Sequence, residues 1–594
     1  MEDSSYIYSK FAPPKLRVRS HRNKIESEKN PICVIHPPCL LLLPRDKDTR
    51  YMASLPAFYT PVLPPFAHQR TALERSYAKR VFALFIEQGL GKTKIIYDNC
   101  ALLFKRGHID ALLVFAPNDV HAQWVNEQMP LHWPAALGAP RAAVWDAGRR
   151  SAEKQCEGLL TKVNNGGRFV VLAMNYDALA TKRGRKLAER FLKTYRCLLC
   201  ADESHFIKTP SASRTRAALA LAPLAPVRRI ATGTPKTQSP FDFFAQMSFL
   251  DERILGFDSF LSFKHYYGVF TKEFTWRKDA RTGAQVRVPY EQLQQYRRVE
   301  HLNAMMAPYV QRTRKADCID LPPKLPVTRY VELTANQQRA YTQLRDEGLL
   351  LLRQAERKEA AAAEVLRFLQ LPELEDEELQ ERLLDSKGRV TLKIQLVLTL
   401  RLHQIVGGFV TDDARVTHEL DPPAANARLL AVAEAVQEAL DSNEGKCIVW
   451  AAYRAELRLL EQHLHSSCAP AVRVDGSVTG KRREEAIAAF KDANSATRIL
   501  VAHPRTMGTG QNLTMATSAW YYSNAQSYVL RAQSEDRIHR LGMRGAVTVG
   551  DFVVRAAAPC VDTLILQRLQ QHASVAEFFM GANNMTASQL EKLI

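Results

Sequence analysis

A glycine-rich loop between a strand and a helix constrains this chain more than any other sequence feature. The loop, Glu87-Gln-Gly-Leu-Gly-Lys-Thr93, follows the apolar run Val81-Phe-Ala-Leu-Phe-Ile86 and precedes a predicted helix from Lys94 to Leu103. Backbone N–H groups of such a loop wrap a phosphate, its lysine reaches phosphate oxygens, and its threonine hydroxyl ligates Mg²⁺. The predicted nucleotide site comprises Gly89, Leu90, Gly91, Lys92 and Thr93. The alternative is a plain glycine turn, because Ile86 occupies the position of the first glycine in the full pattern.

Two carboxylates follow a second predicted strand, Leu198 to Ala201. Ligands of open parallel sheets lie beyond the carboxyl ends of the strands, so the pair Asp202 and Glu203 should face the phosphates. We expect Asp202 to hold the water shell of Mg²⁺ and Glu203 to orient and polarise an attacking water. Acidic pairs are common at strand ends, and the upstream loop is what makes this pair a strong indication of nucleotide chemistry.

Further motifs occur in the order found in a known family. They are Phe66-Ala-His-Gln69, Ala116-Pro117 to Trp124, Thr232-Gly-Thr-Pro235, Val474-Asp-Gly-Ser477, Gly508 to Leu513 and Gln533 to Gly542. With the loop and the acidic pair, they resemble the superfamily-two helicase-like ATPases of the Swi/Snf branch, which is DEAH-box-like, and its compact bacterial or bacteriophage members. The chain departs from the family pattern at Ser204 (usually alanine), Met543 (usually glutamine) and Gln88 (usually methionine).

The resemblance implies the site residues and the cofactors, ATP and Mg²⁺. The implied catalytic residues are Lys92, Asp202, Glu203, Arg537 and Arg540, and the implied metal-binding residues are Thr93 and Asp202. Nucleotide binding is assigned to Gln69, Gly89, Leu90, Gly91, Lys92, Thr93 and Gly510, and nucleic-acid binding to Thr232, Thr234, Asn512 and Thr514. Arg537 and Arg540 lie three apart in a predicted helix and are implied to act as arginine fingers. A lone Arg-x-x-Arg is ordinarily a surface pair, but Gln533 before it and Gly542 after it favour fingers.

Alternating strands and helices predict an α/β fold with two doubly wound parallel-sheet lobes, RecA-like by resemblance. The predicted divisions are a basic N-terminal arm or small module (1–50), the ATP-binding first lobe (51–320), a linker and helical segment (321–424), and the second lobe with C-terminal helices (425–594). Cys197 and Cys200 are three apart in a strand and therefore point to opposite faces, so they are predicted to be core thiols rather than a zinc clip. Trp124 is predicted to anchor a helix to the sheet, with base stacking as the alternative.

The composition is that of a soluble globular protein with a strong basic excess. The formal net charge is +19, which predicts attraction to polyanions, although scattered solubilising charge is the alternative. The sequence has no 18-residue uncharged apolar run and no signal-peptide pattern at Met1 to Ser5, so we expect no membrane span and a cytoplasmic location in a prokaryotic or bacteriophage-infected cell. A monomer is plausible.

Three functions fit these observations. The leading hypothesis is an ATP-dependent translocase on double-stranded DNA, because Swi/Snf-type motors are expected to track duplex DNA without separating its strands. The second is a strand-separating helicase on DNA or RNA. The third is an ATP-gated nucleic-acid clamp with little turnover, which would need a damaged site, whereas Lys92, Glu203 and Arg540 are all present.

Overall fold

A computed structural model gives the fold and the placement of the predicted site residues. It describes residues 54–118, 120–161, 167–233, 239–278, 285–318, 321–357, 390–411, 416–442, 445–478, 480–507, 511–540, 542–543, 545–555, 560–571 and 588. The predicted arm (1–50), Thr234 and Gly510 lie outside these residues.

The strands and helices alternate through most of the described chain. The strands are β1 (Val81–Ile86), β2 (Ala111–Ala116), β3 (Arg141–Val144), β4 (Val170–Asn175), β5 (Cys197–Asp202), β6 (Val227–Ala231), β7 (Gly268–Lys278), β8 (Gln285–Tyr296), β9 (Val310–Thr313), β10 (Lys324–Val331), β11 (Phe409–Thr411), β12 (Thr417–Glu419), β13 (Lys446–Trp450), β14 (Ala471–Val474), β15 (Ile499–Ala502), β16 (Ala516–Tyr521) and β17 (Val547–Val554). The helices are α1 (Ala67–Ser76), α2 (Lys92–Lys105), α3 (Val120–Gln123), α4 (Met129–His132), α5 (Arg150–Leu159), α6 (Lys182–Thr194), α7 (Ser213–Leu221), α8 (Phe243–Leu250), α9 (Phe260–Tyr267), α10 (Val299–Met306), α11 (Ala335–Arg357), α12 (Val390–Val406), α13 (Ala427–Ser442), α14 (Arg454–Ser467), α15 (Gly480–Lys491), α16 (Pro504–Met507), α17 (Tyr528–Ile538) and α18 (Val561–Gln570).

The first lobe is built on a parallel sheet with the order β3-β4-β2-β5-β6-β1-β9. Its central strands are apolar runs buried on both faces, as expected for a parallel sheet covered by helices. Cys197 packs in the core on one face and Cys200 in the core on the other, which confirms that they point in opposite directions. A long antiparallel hairpin, β7 and β8, extends from this lobe between α9 and α10.

The second lobe is built on a parallel sheet with the order β10-β17-β16-β13-β15-β14. Its first strand, β10, comes from the segment predicted to be a linker with helices. This segment also supplies α11 and α12, whose apolar residues share one core with β13 and α18. The two parallel sheets confirm the predicted fold class.

In the part of the chain that the structure describes, no helix is long and apolar enough to cross a membrane.

Candidate active site in the cleft between the lobes

The glycine loop adopts a conformation that requires its glycines. Gly89 and Gly91 have φ values of 82° and 81°, in the left-handed region where other residues are strained. A Cβ atom on Gly91 would lie 2.3 Å from Nε2 of Gln69, so this position excludes a side chain sterically as well. Lys92 then begins α2, and its Nζ donates to the carbonyl of Ile86, 3.0 Å away. The loop is therefore shaped to present backbone N–H groups at a helix N-terminus.

Gln69 supports this loop from α1. Its Nε2 donates to the carbonyl of Leu90 (3.1 Å), and its Oε1 accepts from the backbone N–H of Phe66 (3.1 Å). Nε2 of the neighbouring His68 lies 3.0 Å from the same Leu90 carbonyl. Both ends of the Gln69 amide are thus engaged by protein, and its nucleotide-binding role stays a prediction.

Asp202 lies at the carboxyl end of β5, as predicted, and is held by two hydrogen bonds. Trp124 Nε1 donates to Asp202 Oδ2 (3.0 Å), and the backbone N–H of Glu203 donates to Oδ1 (3.0 Å). Trp124 is 1% exposed, which confirms its role as a core anchor. Burial, together with the charge of Glu203, raises the pKa of Asp202 to about 6.

Glu203 is held in an uncommon backbone conformation, with φ of 48°, which costs free energy for a residue with a side chain. Its Oε2 accepts from the Thr232 hydroxyl at 2.9 Å and lies 3.4 Å from Nδ1 of His205. Its Oε1 accepts from Nε2 of Gln88 at 3.3 Å. Burial acts to raise its pKa, but the hydrogen bond with His205 and the charge of Lys92 outweigh burial and lower the pKa to about 2. As pH falls, Glu203 therefore stays ionised after Asp202 has taken up a proton.

The two predicted arginine fingers come from the second lobe, but they do not share a helix. Helix α17 contains Arg537 and ends at Ile538, so Arg540 lies beyond it, contrary to the prediction. The backbone leaves the helical conformation at His539, which has φ of −90° and ψ of 78°. The carbonyl of His539 accepts from Nζ of Lys315 in the first lobe at 2.9 Å.

Both arginines reach the glycine loop. Arg537 Nη2 donates to Oε1 of Gln88 at 2.9 Å, and burial with the charge of Arg540 lowers its pKa to about 10. A Cβ atom on Gly89 would lie 3.3 Å from Cβ of Arg540. These contacts bring positive charge from the second lobe to the place where the loop would hold a phosphate.

Lys315 connects the two lobes beside this site through an ion pair and hydrogen bonds. Its Nζ pairs with Oδ1 of Asp536 at 2.5 Å, and its backbone N–H donates to Oε2 of Glu87 at 2.9 Å. Because Glu87 begins the glycine loop and Asp536 precedes Arg537, one lysine links the loop to the finger-bearing helix. Lys315 could not be predicted from the sequence, since only the fold brings these segments together.

The groups converge on one cavity of about 170 Å³. Eight predicted site residues line it: Gly89, Gly91, Lys92, Thr93, Asp202, Glu203, Arg537 and Arg540. Three cationic side chains and a helix N-terminus suit a triphosphate, while the Thr93 hydroxyl and the Asp202 carboxylate are oxygen donors of the kind that Mg²⁺ prefers. The residues present therefore fit a magnesium-bound nucleoside triphosphate.

The predicted nucleic-acid contacts are more scattered. Thr232 is fully buried and its hydroxyl bonds Glu203, so in this structure it positions the carboxylate. Asn512 is exposed, and its Oδ1 accepts from the backbone N–H of Thr514 at 3.3 Å. Their roles in binding nucleic acid stay predictions.

Comparison with known proteins decides the family. A family model described as the SNF2-related domain matches residues 68–378, which is more than half of the chain. The chain belongs to the SNF2-related family. A second model, the helicase conserved C-terminal domain, matches residues 431–542 of this SNF2-related chain.

Curated relatives of the SNF2-related chain include the ATP-dependent helicase fft3 of Schizosaccharomyces pombe, 23% identical over 79% of this chain and 52% of the relative. The chromatin structure-remodeling complex subunit snf21 of the same yeast is 23% identical over 68% of this chain and 30% of the relative. The chain thus spans about half or less of the length of these relatives. Among solved structures, the Sulfolobus solfataricus SWI2/SNF2 ATPase core in complex with dsDNA is 19% identical, with a TM-score of 0.34 and coverage of 90% of this chain and 99% of that one. The resemblance to compact bacterial or bacteriophage members stays a prediction.

Proposed function

We propose that this SNF2-related chain is an ATP-dependent translocase on double-stranded DNA, hydrolysing ATP to ADP and phosphate. The observation that carries the proposal is the shared cavity, to which the first lobe supplies Lys92 and Glu203 and the second supplies Arg537 and Arg540. A site completed by two lobes can couple hydrolysis to their relative motion.

Each residue has a distinct task in hydrolysis. The loop N–H groups and Lys92 bind the phosphates, while Thr93 and Asp202 would hold Mg²⁺, which neutralises developing charge on the phosphate oxygens. Glu203, kept ionised by His205 and Thr232, orients the attacking water. Arg537 and Arg540 stabilise the negative charge of the transition state.

The arginines make catalysis depend on lobe closure. They are carried by α17 and the residues after it, and the Lys315–Asp536 pair draws that segment onto the first lobe. Separating the lobes would withdraw both fingers while leaving Lys92 and the carboxylates in place. A polymer that bridges both lobes would favour closure and therefore stimulate ATP hydrolysis.

Nucleic acid is the partner that the charge favours. A net charge of +19 supports binding to phosphates, and a motor that moves along any sequence must leave the base edges unread. The exposed Asn512 and the nearby Thr514 are candidate phosphate contacts on the second lobe.

Steady-state ATP hydrolysis tests the proposal, measured with no polymer, single-stranded DNA, duplex DNA, forked DNA and RNA. We expect duplex DNA to stimulate the rate at least several-fold. We also expect displacement of a third strand from a triplex while a tailed duplex stays paired, and an affinity for DNA that falls by orders of magnitude from about 50 to about 200 mM salt.

Two results would contradict this proposal. Equal rates with and without every polymer would show that closure does not depend on nucleic acid. Release of a strand from the tailed duplex without triplex displacement would replace the translocase by a strand-separating helicase.

A further inference from the structure

Gln88 joins catalytic groups of the two lobes through a single amide. Its Nε2 donates to Oε1 of Glu203 (3.3 Å), and its Oε1 accepts from Nη2 of Arg537 (2.9 Å). A carboxylate only accepts and a guanidinium only donates, so the orientation of the amide is fixed by its two partners. Gln88 is 7% exposed, so these bonds are made in the interior of the closed cleft.

The amide separates two opposite charges that would otherwise attract each other. In a buried site of low dielectric, a carboxylate and a guanidinium in direct contact form a strong pair. Such a pair would turn Glu203 away from its water and Arg537 away from the phosphate. A neutral amide satisfies the hydrogen-bonding groups of both side chains and leaves their charges available.

The backbone limits the freedom of the Gln88 side chain. A Cβ atom on Gly233 would lie 3.2 Å from the backbone nitrogen of Gln88 and 3.4 Å from its Cγ. Gly233 follows Thr232, which also bonds Glu203. Gln88 therefore packs directly against the strand-end segment that holds the carboxylate from its other side.

We propose that Gln88 is a positioning residue, which aligns Glu203 and Arg537 when the lobes close and prevents them from pairing directly. The inference rests on the proposed ATPase function of the site. Methionine, the residue that the Swi/Snf pattern has at this position, fills a similar volume but cannot donate to Glu203 while accepting from Arg537.

A double-mutant cycle tests the proposal with four proteins: wild type, Gln88→Met, Arg537→Lys and the double variant. With saturating duplex DNA, we expect Gln88→Met to lower kcat about 10-fold and to change KM for ATP less than twofold, because closed-state alignment is lost and phosphate binding is not. In the Arg537→Lys background, which lacks the guanidinium fork, the same change should cost less than twofold. An equal loss of kcat in both backgrounds would overturn the proposal.

The matched control is Gln437→Met, which removes an exposed amide hydrogen bond to Asp441 within α13. Its kcat should stay within twofold of wild type.

Thermal unfolding of the same four proteins without nucleotide separates this inference from the proposed function. The Gln88–Arg537 bond should make the Tm loss from Gln88→Met larger in the wild-type background than with Arg537→Lys. If wild type hydrolyses no ATP with any polymer, the proposed function fails. The thermal unfolding cycle then tests by itself whether Gln88 couples to Arg537. Additive Tm shifts would then refute it.

Discussion

Two clusters of buried charged residues differ in what their charges face. The cleft cluster, Lys92, Asp202, Glu203 and Arg537, lines the cavity of the candidate site. The junction cluster, His403, Arg428, Glu456 and Asp562, lies where the helical segment packs on the second lobe. Arg428 pairs there with Asp562, and its Nη1 donates to the carbonyl of Tyr522 (2.8 Å).

Shifted pKa values do not distinguish the two clusters. In the junction cluster, burial lowers the pKa of His403 to about 4 and raises that of Glu456 to about 8. These shifts are as large as those in the cleft, yet the Arg428–Asp562 pair satisfies its charges internally. In the cleft, Glu203 and Arg537 are held by a neutral amide and face a cavity. Charged groups that line a cavity mark the candidate site, and burial of charge alone does not.

Arg540→Ala, which changes a residue of the cavity lining beside the cleft cluster, should give the largest selective loss of turnover. We expect turnover to fall about 10³-fold with ATP affinity changed only a few-fold, since a finger acts on transition-state charge. Arg537→Ala should behave similarly or somewhat more mildly. Kinetics and thermal unfolding check this, with Arg190→Ala, which breaks an exposed pair with Glu157, as the control. A large drop in Tm with Arg540→Ala would place that arginine with the structural cluster instead.

Glu203→Gln should cost about 10²-fold or more in turnover and leave ATP bound, because the water loses its orienting carboxylate while Thr93 and Asp202 still bind Mg²⁺. ATP binding and hydrolysis measured on the same preparation check this. Hydrolysis at the wild-type rate would show that another group orients the water.

Arg428→Met should have the opposite signature, because it leaves Asp562 buried without its partner. We expect the free energy of unfolding, measured by urea denaturation, to fall by roughly 3–5 kcal/mol. Turnover of the folded fraction should be unchanged. Lys481→Met, which breaks an exposed pair with Glu485, should cost no more than about 1 kcal/mol. Selective loss of turnover with Arg428→Met would show that the junction cluster also contributes to hydrolysis.

Glu456→Gln should produce the smallest effect, and one that depends on pH. The folded protein holds the Glu456 proton up to about pH 8, against an ordinary value of 4.5, so wild-type stability falls as pH rises through that window. The charge of Arg428 acts to lower the pKa of Glu456, and so do the hydrogen bonds that Ser523 and the Tyr453 N–H donate to its carboxyl group. Burial outweighs them. The glutamine variant should match wild type near pH 5 and melt a few degrees higher near pH 8. Parallel Tm profiles would mean that Glu456 stays ionised in the fold.

The buried strands could be predicted from the sequence because strands covered on both faces are continuous apolar runs. The apolar run Val81 to Ile86 has the limits of the observed β1, and the predicted strand Leu198 to Ala201 lies within the observed Cys197–Asp202. Strand β10 was missed because Pro322, Pro323 and Pro326 are typical of a linker and its other residues are largely exposed. A proline is tolerated there because β10 is an edge strand.

The candidate site divides in the same way. Local motifs were sufficient to predict that Lys92, Asp202 and Glu203 lie together, because each lies at or just beyond the carboxyl end of a strand of the same sheet. The contact between Gln88 and Arg537 was not predictable, since the two residues are 449 positions apart and belong to different lobes. Thr232 was assigned by resemblance to nucleic acid, and only the structure shows that its hydroxyl is directed at Glu203.

The pairing of β10 with β17 sets an order of events on the ribosome. The first sheet has all its strands once residue 313 has been made, whereas β10 must wait for a partner more than 200 residues further along the chain. At roughly 5–20 residues per second, that wait lasts on the order of 10 s or longer. During it, the unpaired backbone of β10 and its apolar Leu325 and Val327 are available to other nascent chains. Translation that stops before residue 547 would therefore leave the second sheet without β17 and β10 without its partner strand.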